Sequence, residues 1–315
     1  MIYDPFIYAA VNYCSCKNPI FVRFKEPREI NGQLVQGCKV PCGKCELCKK
    51  RRQREWFVRL NAELKHSHTA FFVTLTYDDA HIPCNNGIVY VSKKDCQDFM
   101  KRLRKPLGNH RISYFLVSEY GDQFKRPHYH MILFNYPLID FESVKKSIEE
   151  AWQNGLVSVG TVTGASLNYC TKYLLKNENQ KENCPVPCFM LSSRRPAIGA
   201  SFLSSQVSKF YQDSEKGTTW IDGCNYPLPA YYKRKLWTDE ERASMYVANI
   251  ESMCNDLSSM SERVGGLSTL RKLQKEQIES KCNEIRRKQE LGKMRKNASE
   301  RKFKMNQKPN SKTFK

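Results

Sequence analysis

Between residues 70 and 175 the chain alternates strand-like and helix-like patterns in an order that constrains its fold more than any other feature. Ala70-Phe71-Phe72-Val73-Thr74-Leu75-Thr76-Tyr77 is rich in β-branched and aromatic residues and is stopped by Asp78-Asp79, the signature of a buried strand. Phe71, Val73 and Leu75 share one face of it; Phe72, Thr74 and Thr76 share the other. A helical pattern around Lys93–Leu103 precedes two further strand-like runs, Ile112–Tyr120 and His128–Phe134, joined by the seven residues Gly121–Pro127. A connection of that length suits an antiparallel hairpin with a loop somewhat longer than the tightest types. Phe141–Trp152 then reads as a helix, Gly155–Val159 as a short strand, and another helix begins near Ala165. Strand, helix, hairpin, helix, strand, helix predicts an α+β sandwich: a central antiparallel sheet with flanking helices.

The flanks divide the chain further. Residues 1–67 hold a β-rich N-terminal segment with turn residues Asn18-Pro19 and Asn31-Gly32, a cysteine cluster and a basic helix from Glu46 to about His66. Residues 68–180 form the core described above. Residues 181–236 are punctuated by Pro185, Pro187, Pro196, Pro227 and Pro229 and read as a loop-rich extension without an assigned chemical role. Residues 237–315 are helical in composition; from 271 onward they carry 16 Lys+Arg against 5 Glu, and little apolar surface offsets the ordering entropy of the end. That tail is expected to be partly disordered.

Charge narrows the partner. The 315 residues carry 52 Lys+Arg against 32 Asp+Glu, a formal +20, which attracts polyanions and makes nucleic acid the leading partner class. An anionic membrane surface would also satisfy it. No run of about 18 apolar residues and no signal-peptide pattern is visible, so the expectation is a soluble, intracellular protein with no membrane partner.

Two constellations carry chemistry. In Pro127-His128-Tyr129-His130, strand alternation points both imidazoles to one face, where they can share a metal ion. Glu119, near the end of the preceding strand, reaches the same face if the strands pair, and a mixed nitrogen and oxygen set suits Mn²⁺ or Mg²⁺ better than a closed structural zinc. The ordinary meaning of His-x-His on a strand is polar surface. The second constellation is Tyr169-Cys170-Thr171-Lys172-Tyr173-Leu174-Leu175-Lys176, with two phenols one helical turn apart and a lysine three residues after each. A phenol of pKa about 10 needs such cationic help to act as a nucleophile near neutrality. Lys176 lies close to the face of both phenols, on the i+7 side of Tyr169. The competing reading is a core-packed stripe with lysines in water.

Phe71–Asp79, Glu119, Pro127-His128-Tyr129-His130 and the Tyr169/Tyr173 pair occur together and in the order found in HUH-type replication initiators. The chain resembles that family, most closely the initiators of Microviridae such as gokushovirus-like phages. The likeness covers roughly residues 38–180 and includes Pro41-Cys42-Gly43-Lys44-Cys45. It implies an HUH endonuclease domain with an RRM/ferredoxin-like core and a Mg²⁺ or Mn²⁺ ion held by His128, His130 and Glu119. It also implies Tyr169 and Tyr173 as alternating nucleophiles on single-stranded origin DNA. Lys172 and Lys176 are then phosphate contacts, phenol activators or neither. Cleavage would leave a 5′-phosphotyrosine and a 3′-hydroxyl for a host polymerase in the host bacterial cytoplasm. No ATP-binding Gly-rich Lys-Ser/Thr loop is present, so unwinding needs a helicase partner. A single-tyrosine relaxase or transposase, a metal-only hydrolase and a non-catalytic single-strand binder are the competing functions.

Cys38, Cys42, Cys45 and Cys48 offer four thiolates within eleven residues, a candidate zinc set. The cramped spacing leaves room for Cys14 and Cys16 to replace one or two of them, or for free buried thiols; an iron-sulfur cluster has no other support. Trp56, Tyr77, Phe124 and Tyr129 are candidates for stacking on unpaired bases.

Overall fold

In chain order, the computed structural model begins with strands β1 (Ile20–Ile30) and β2 (Gln33–Val40), helix α1 (Glu46–Lys65) and strand β3 (Ala70–Tyr77). It continues through the short pair β4 (Cys84–Asn85) and β5 (Ile88–Val89), helix α2 (Lys93–Arg104), strands β6 (Ser113–Tyr120) and β7 (Pro127–Phe134), helix α3 (Phe141–Trp152), strand β8 (Gly155–Thr161) and helix α4 (Gly164–Lys172). Strand β9 (Met190–Ser192), helix α5 (Ser205–Ser214), strands β10 (Thr218–Ile221) and β11 (Cys224–Pro227), and helices α6 (Ala230–Leu236), α7 (Asp239–Arg263) and α8 (Leu267–Asn306) complete it. The structure describes residues 15–121, 125–175 and 186–306. No helix among them is long and apolar enough to cross a membrane.

Two compact units result, one of Lys50–Arg242 and one of Met1–Lys49 with Ala243–Lys315. The first is built on a five-stranded sheet in the order β8-β3-β7-β6-β9, antiparallel throughout. Strict alternation along β3 buries Phe71, Val73, Leu75 and Tyr77 on one face. There they meet Tyr129, Met131 and Leu133 of β7, Cys96, Phe99, Met100 and Leu103 of α2, and Val144, Ile148, Ala151 and Trp152 of α3. Those α2 and α3 positions recur at helical spacing, so each helix lays one apolar stripe on the sheet. Ser92 caps α2 by accepting from the Asp95 amide, and Asp140 caps α3 through the Ser143 amide. Arg102 of α2 donates to the terminal carbonyls of α3, Ala151 at 2.6 Å and Trp152 at 3.2 Å, filling acceptors that the helix end leaves free. The opposite face receives α1, whose Trp56 packs on Phe115 of β6, and α4.

One glycine is required for the sheet to close. Gly155, at the start of β8, has φ +140°, and a Cβ there would stand 2.3 Å from the Asp78 amide nitrogen at the end of β3. Within residues 186–236, where the prolines predict loops, the structure holds β9 to β11, α5 and α6. Strand β9 pairs with β6 through Phe115↔Ser192 to Val117↔Met190, so the central sheet draws on sequence beyond residue 180. A three-residue edge strand has too few positions to show a period in sequence. Buried hydrogen bonds order the next stretch: Arg59 donates to the Ile198 carbonyl and the Gly199 amide to Glu63.

The second unit pairs β1 with β2 through the Asn31-Gly32 turn, where both residues have positive φ, as a type I′ hairpin turn needs. Ile30 and Val35 of that hairpin bury against Ile250, Cys254 and Leu257 of α7 and Leu270 of α8.

Candidate active site

The hairpin of β6 and β7 sets His128 directly opposite Glu119, and His130 opposite Val117 and Thr74. Alternation then places both imidazoles and the carboxylate on the sheet face that α4 covers. His128 Nε2 lies 3.4 Å and His130 Nε2 3.1 Å from the same Glu119 oxygen. The three ligand atoms all stand within 4.8 Å of one another. Glu119 is 2% exposed and His130 7%, while the His128 side chain retains 19%, so the cluster opens toward solvent at His128.

Outer partners set which nitrogens face inward. His128 Nδ1 donates to the Arg126 carbonyl at 3.0 Å, which leaves the Nε2 lone pair available. His130 Nδ1 shares a hydrogen bond with Thr74 Oγ1 at 3.2 Å, fixing that ring the same way round. Two imidazole nitrogens and a carboxylate oxygen, each oriented from behind, form a donor set that fits a divalent cation.

Helix α4 brings the phenols. Thr163 and Ser166 form a reciprocal capping box at its start, and buried Leu167 and Cys170 seat it. Tyr169 lies in α4, whereas Tyr173 opens the tighter 3-10 turn Tyr173–Leu175. Their rings stand 5.2 and 4.9 Å from the His130 ring, edge-on for Tyr169 and stacked for Tyr173, and 5.0 Å from each other. Phe72 stacks on His130 at 5.9 Å and meets Tyr169 edge-on at the same distance. Tyr169 is 41% exposed and Tyr173 only 4%. Burial pushes the Tyr173 phenol well above its ordinary value, and the Glu119 carboxylate and the Tyr169 phenol, both hydrogen-bonded to it, push the same way.

A family model for replication-associated proteins of the ORF2 type matches residues 70–178, the span that holds this cluster. Replication-associated protein ORF2 of Spiroplasma virus 4 is 30% identical over 236 residues, covering 67% of this chain and 73% of that protein. The chain belongs to the ORF2 family of replication-associated proteins. Two further replication-associated proteins, like the first from Microviridae, are similar: VP4 of Bdellovibrio phage phiMH2K, 27% identical over 249 residues (71% of this chain, 76% of that one), and ORF4 of Chlamydia phage 1, 26% identical over 228 residues (64% and 55%). Among solved structures, the N-terminal nuclease domain of minute virus of mice non-structural protein-1 aligns with 67% of this chain and 84% of its own at 12% identity, with a TM-score of 0.16, too slight a likeness to bear on the fold.

In this replication-associated protein the remaining candidates are distributed as follows. Lys172 is exposed at the end of α4; Lys176, Phe124 and Cys14 lie outside the described residues. Tyr77 and Tyr129 are not base-stacking residues: both are core, 1% and 0% exposed, with their hydroxyls 2.9 Å apart and that of Tyr77 donating to Asp95. Strand alternation turns Tyr129 away from the two histidines that flank it. Trp56 is half-buried between Phe115 and the Arg59 guanidinium. The cysteine set changes by one member. Cys42, Cys45 and Cys48 come together with Cys16, while Cys38 is buried in the apolar cluster of Ile30, Val35 and Cys254. Cys38 lies in β2 opposite Val22, and its strand faces α7 and α8. Sequence reasoning missed Thr74 and Phe72 as supports of His130, although their place on the second face of β3 was readable from the alternation of Ala70–Tyr77.

Proposed function

We propose that this chain nicks and rejoins single-stranded origin DNA to start rolling-circle replication of a single-stranded DNA phage. One observation carries the reading: two Nε2 atoms face one buried carboxylate oxygen, and two phenol rings lie within 5.2 Å of the same imidazole. Glu119, His128 and His130 hold Mg²⁺ or Mn²⁺. A divalent cation held there supplies Lewis-acid polarisation of a phosphate oxygen. Thr74, Phe72 and the Arg126 carbonyl keep the imidazoles aligned while DNA binds. The exposed Tyr169 hydroxyl attacks phosphorus in line; the Tyr169 O–P bond forms as the P–O3′ bond breaks, and the phenolic proton ends on the leaving 3′ oxygen. One ester replaces another, so the bond energy is kept for rejoining. Tyr173 makes the same attack on the regenerated origin, and the displaced strand's 3′-hydroxyl then attacks the first linkage and frees Tyr169. Lys172 and Lys176 serve as cationic contacts for phosphate or phenol. A host polymerase extends the 3′-hydroxyl and a host helicase unwinds, in the bacterial cytoplasm.

The exposure of Tyr169 alone favours a second reading, a single-tyrosine nuclease of the relaxase or transposase kind. A labelled single-stranded origin oligonucleotide, incubated with Mn²⁺ and resolved on denaturing gels, tests both. The expected result is a covalent protein-DNA adduct that needs His128, His130 and Glu119. Cleavage without an adduct would indicate hydrolysis by water, and binding without cleavage a non-catalytic protein; either outcome overturns the proposal. Equal performance of Tyr173→Phe and wild type through repeated nicking and joining supports the single-tyrosine reading.

A further inference from the structure

Four sulfurs from two segments of chain converge in the N-terminal and C-terminal unit. Cys16 Sγ lies 3.4 Å from Cys42, 3.6 Å from Cys45 and 3.5 Å from Cys48, and Cys42 stands 4.0 Å from Cys48. These separations rule out disulfides, whose sulfurs sit about 2.05 Å apart. They match the edges of a tetrahedron with a metal at its centre: a Zn–S bond of about 2.3 Å implies sulfurs roughly 3.8 Å apart.

The backbone is arranged for thiolates. The Cys42 amide donates to Cys16 Sγ at 3.3 Å, and the amides of Lys44 and Cys45 donate to Cys42 Sγ at 3.4 Å. The amides of Lys17 and Cys48 serve Cys45, and that of Gly43 serves Cys48. Gly43, at φ +76°, makes the turn that aims these N–H groups at sulfur. Every sulfur therefore accepts an N–H, as metal-bound thiolates do through their outer shell. Cys45 immediately precedes α1 and Cys48 lies in its first turn, where helix N–H groups also favour negative charge. Lys17 and Lys44, each next to a ligand, offset the excess charge of four thiolates on a divalent ion.

We propose that Cys16, Cys42, Cys45 and Cys48 bind one structural Zn²⁺ that fastens the segment around Cys16 to the N-terminus of α1. Four protein ligands close the shell and leave no position for substrate, which makes the site structural rather than catalytic. Binding releases the thiol protons and supplies a staple to a unit whose apolar clusters are small.

The test uses full-length protein, reduced, stripped of metal and titrated with Co²⁺. The expected result is thiolate-to-cobalt charge-transfer absorption with the strong d–d bands of a tetrahedral sulfur shell, saturating at one equivalent and bleached by one equivalent of Zn²⁺. The absorption should persist in His128→Ala/His130→Ala, which disables the other candidate metal site, and in Cys38→Ser. It should be lost in Cys16→Ser and Cys45→Ser. Absence of the band in the wild type, its survival in Cys16→Ser, or its dependence on Cys38 overturns the assignment. Elemental analysis of untreated protein adds a check that needs no cysteine variant: one zinc per chain is expected from His128→Ala/His130→Ala, and iron in its place or no metal overturns the proposal.

Discussion

Tyr169 and Tyr173 stand four positions apart but in unlike surroundings. Tyr173 lies flat on His130, hydrogen-bonded to Glu119, with its proton held more tightly than in water; Tyr169 reaches solvent at the edge of the same ring. A strand of DNA therefore meets Tyr169 first. Tyr169→Phe is expected to lower first-strand cleavage by roughly a thousandfold or more, the scale seen when a nucleophile is removed. Tyr173→Phe is expected to form the first adduct yet fail to transfer it, which adduct gels with a second origin oligonucleotide would read. Loss of first cleavage in Tyr173→Phe alone would reverse the order. Thr74 offers a finer probe, because it touches His130 from behind the ligand atoms. Thr74→Val keeps the shape and removes the hydroxyl, so Mn²⁺ affinity should fall by about 10- to 100-fold, measured by titration of cleavage activity. Unchanged affinity would mean that Phe72 and Tyr173 alone hold the ring.

Among the elements, the β6–β7 hairpin carries two unlike chemistries on its two faces. Toward α4 it shows Glu119, His128 and His130; toward α2 and α3 it buries Tyr129, which joins Tyr77 and Asp95 in a hydrogen-bonded group sealed by Trp152. Burial pushes both phenols well above their ordinary value, with neighbouring Asp95 adding to it. A raised folded-state pKa means that the unfolded chain releases these protons first as pH rises. The contribution to stability is thus complete below pH about 10 and is lost progressively above it. Denaturant unfolding followed from pH 8 to 11 should show stability falling above pH about 10, and Tyr77→Phe/Tyr129→Phe should flatten that decline. A wild-type curve that stays flat through this range would contradict the burial.

For the whole molecule, the formal +20 governs how DNA is found and held. Binding that rests on lysine and arginine contacts with phosphate releases counterions, and affinity for single strands falls with salt at a log–log slope of about −0.7 per phosphate contact. If about six contacts form, a fourfold rise in salt weakens binding by roughly 300-fold. Fluorescence anisotropy with a labelled oligonucleotide across a salt series measures the slope, and a slope near zero would exclude charge as the source of affinity. The two units supply different things within that charge: Lys50–Arg242 holds the metal-ligand and phenol cluster, while the other unit gathers four cysteines and two long helices.

Much of the catalytic half of this protein was legible in sequence, because it is written in local geometry. The period of two along Ala70–Tyr77 and the spacing of His128 and His130 follow from the pleat, and the hairpin length brings Glu119 opposite His128. Helix boundaries around α2, α3 and α4 follow from capping residues and apolar periodicity within a few turns of chain. Other features arise only when distant segments meet. Cys16 joins the cysteine group across 26 residues and Cys38 leaves it for an apolar cluster with α7 and α8; β9 joins the sheet beyond a proline-rich stretch; and Tyr173, unlike Tyr169, is buried against His130. Spacing along the chain determines which side chains share a face. Which faces meet is decided by the burial of apolar surface among segments far apart in sequence, and only the folded molecule contains that information.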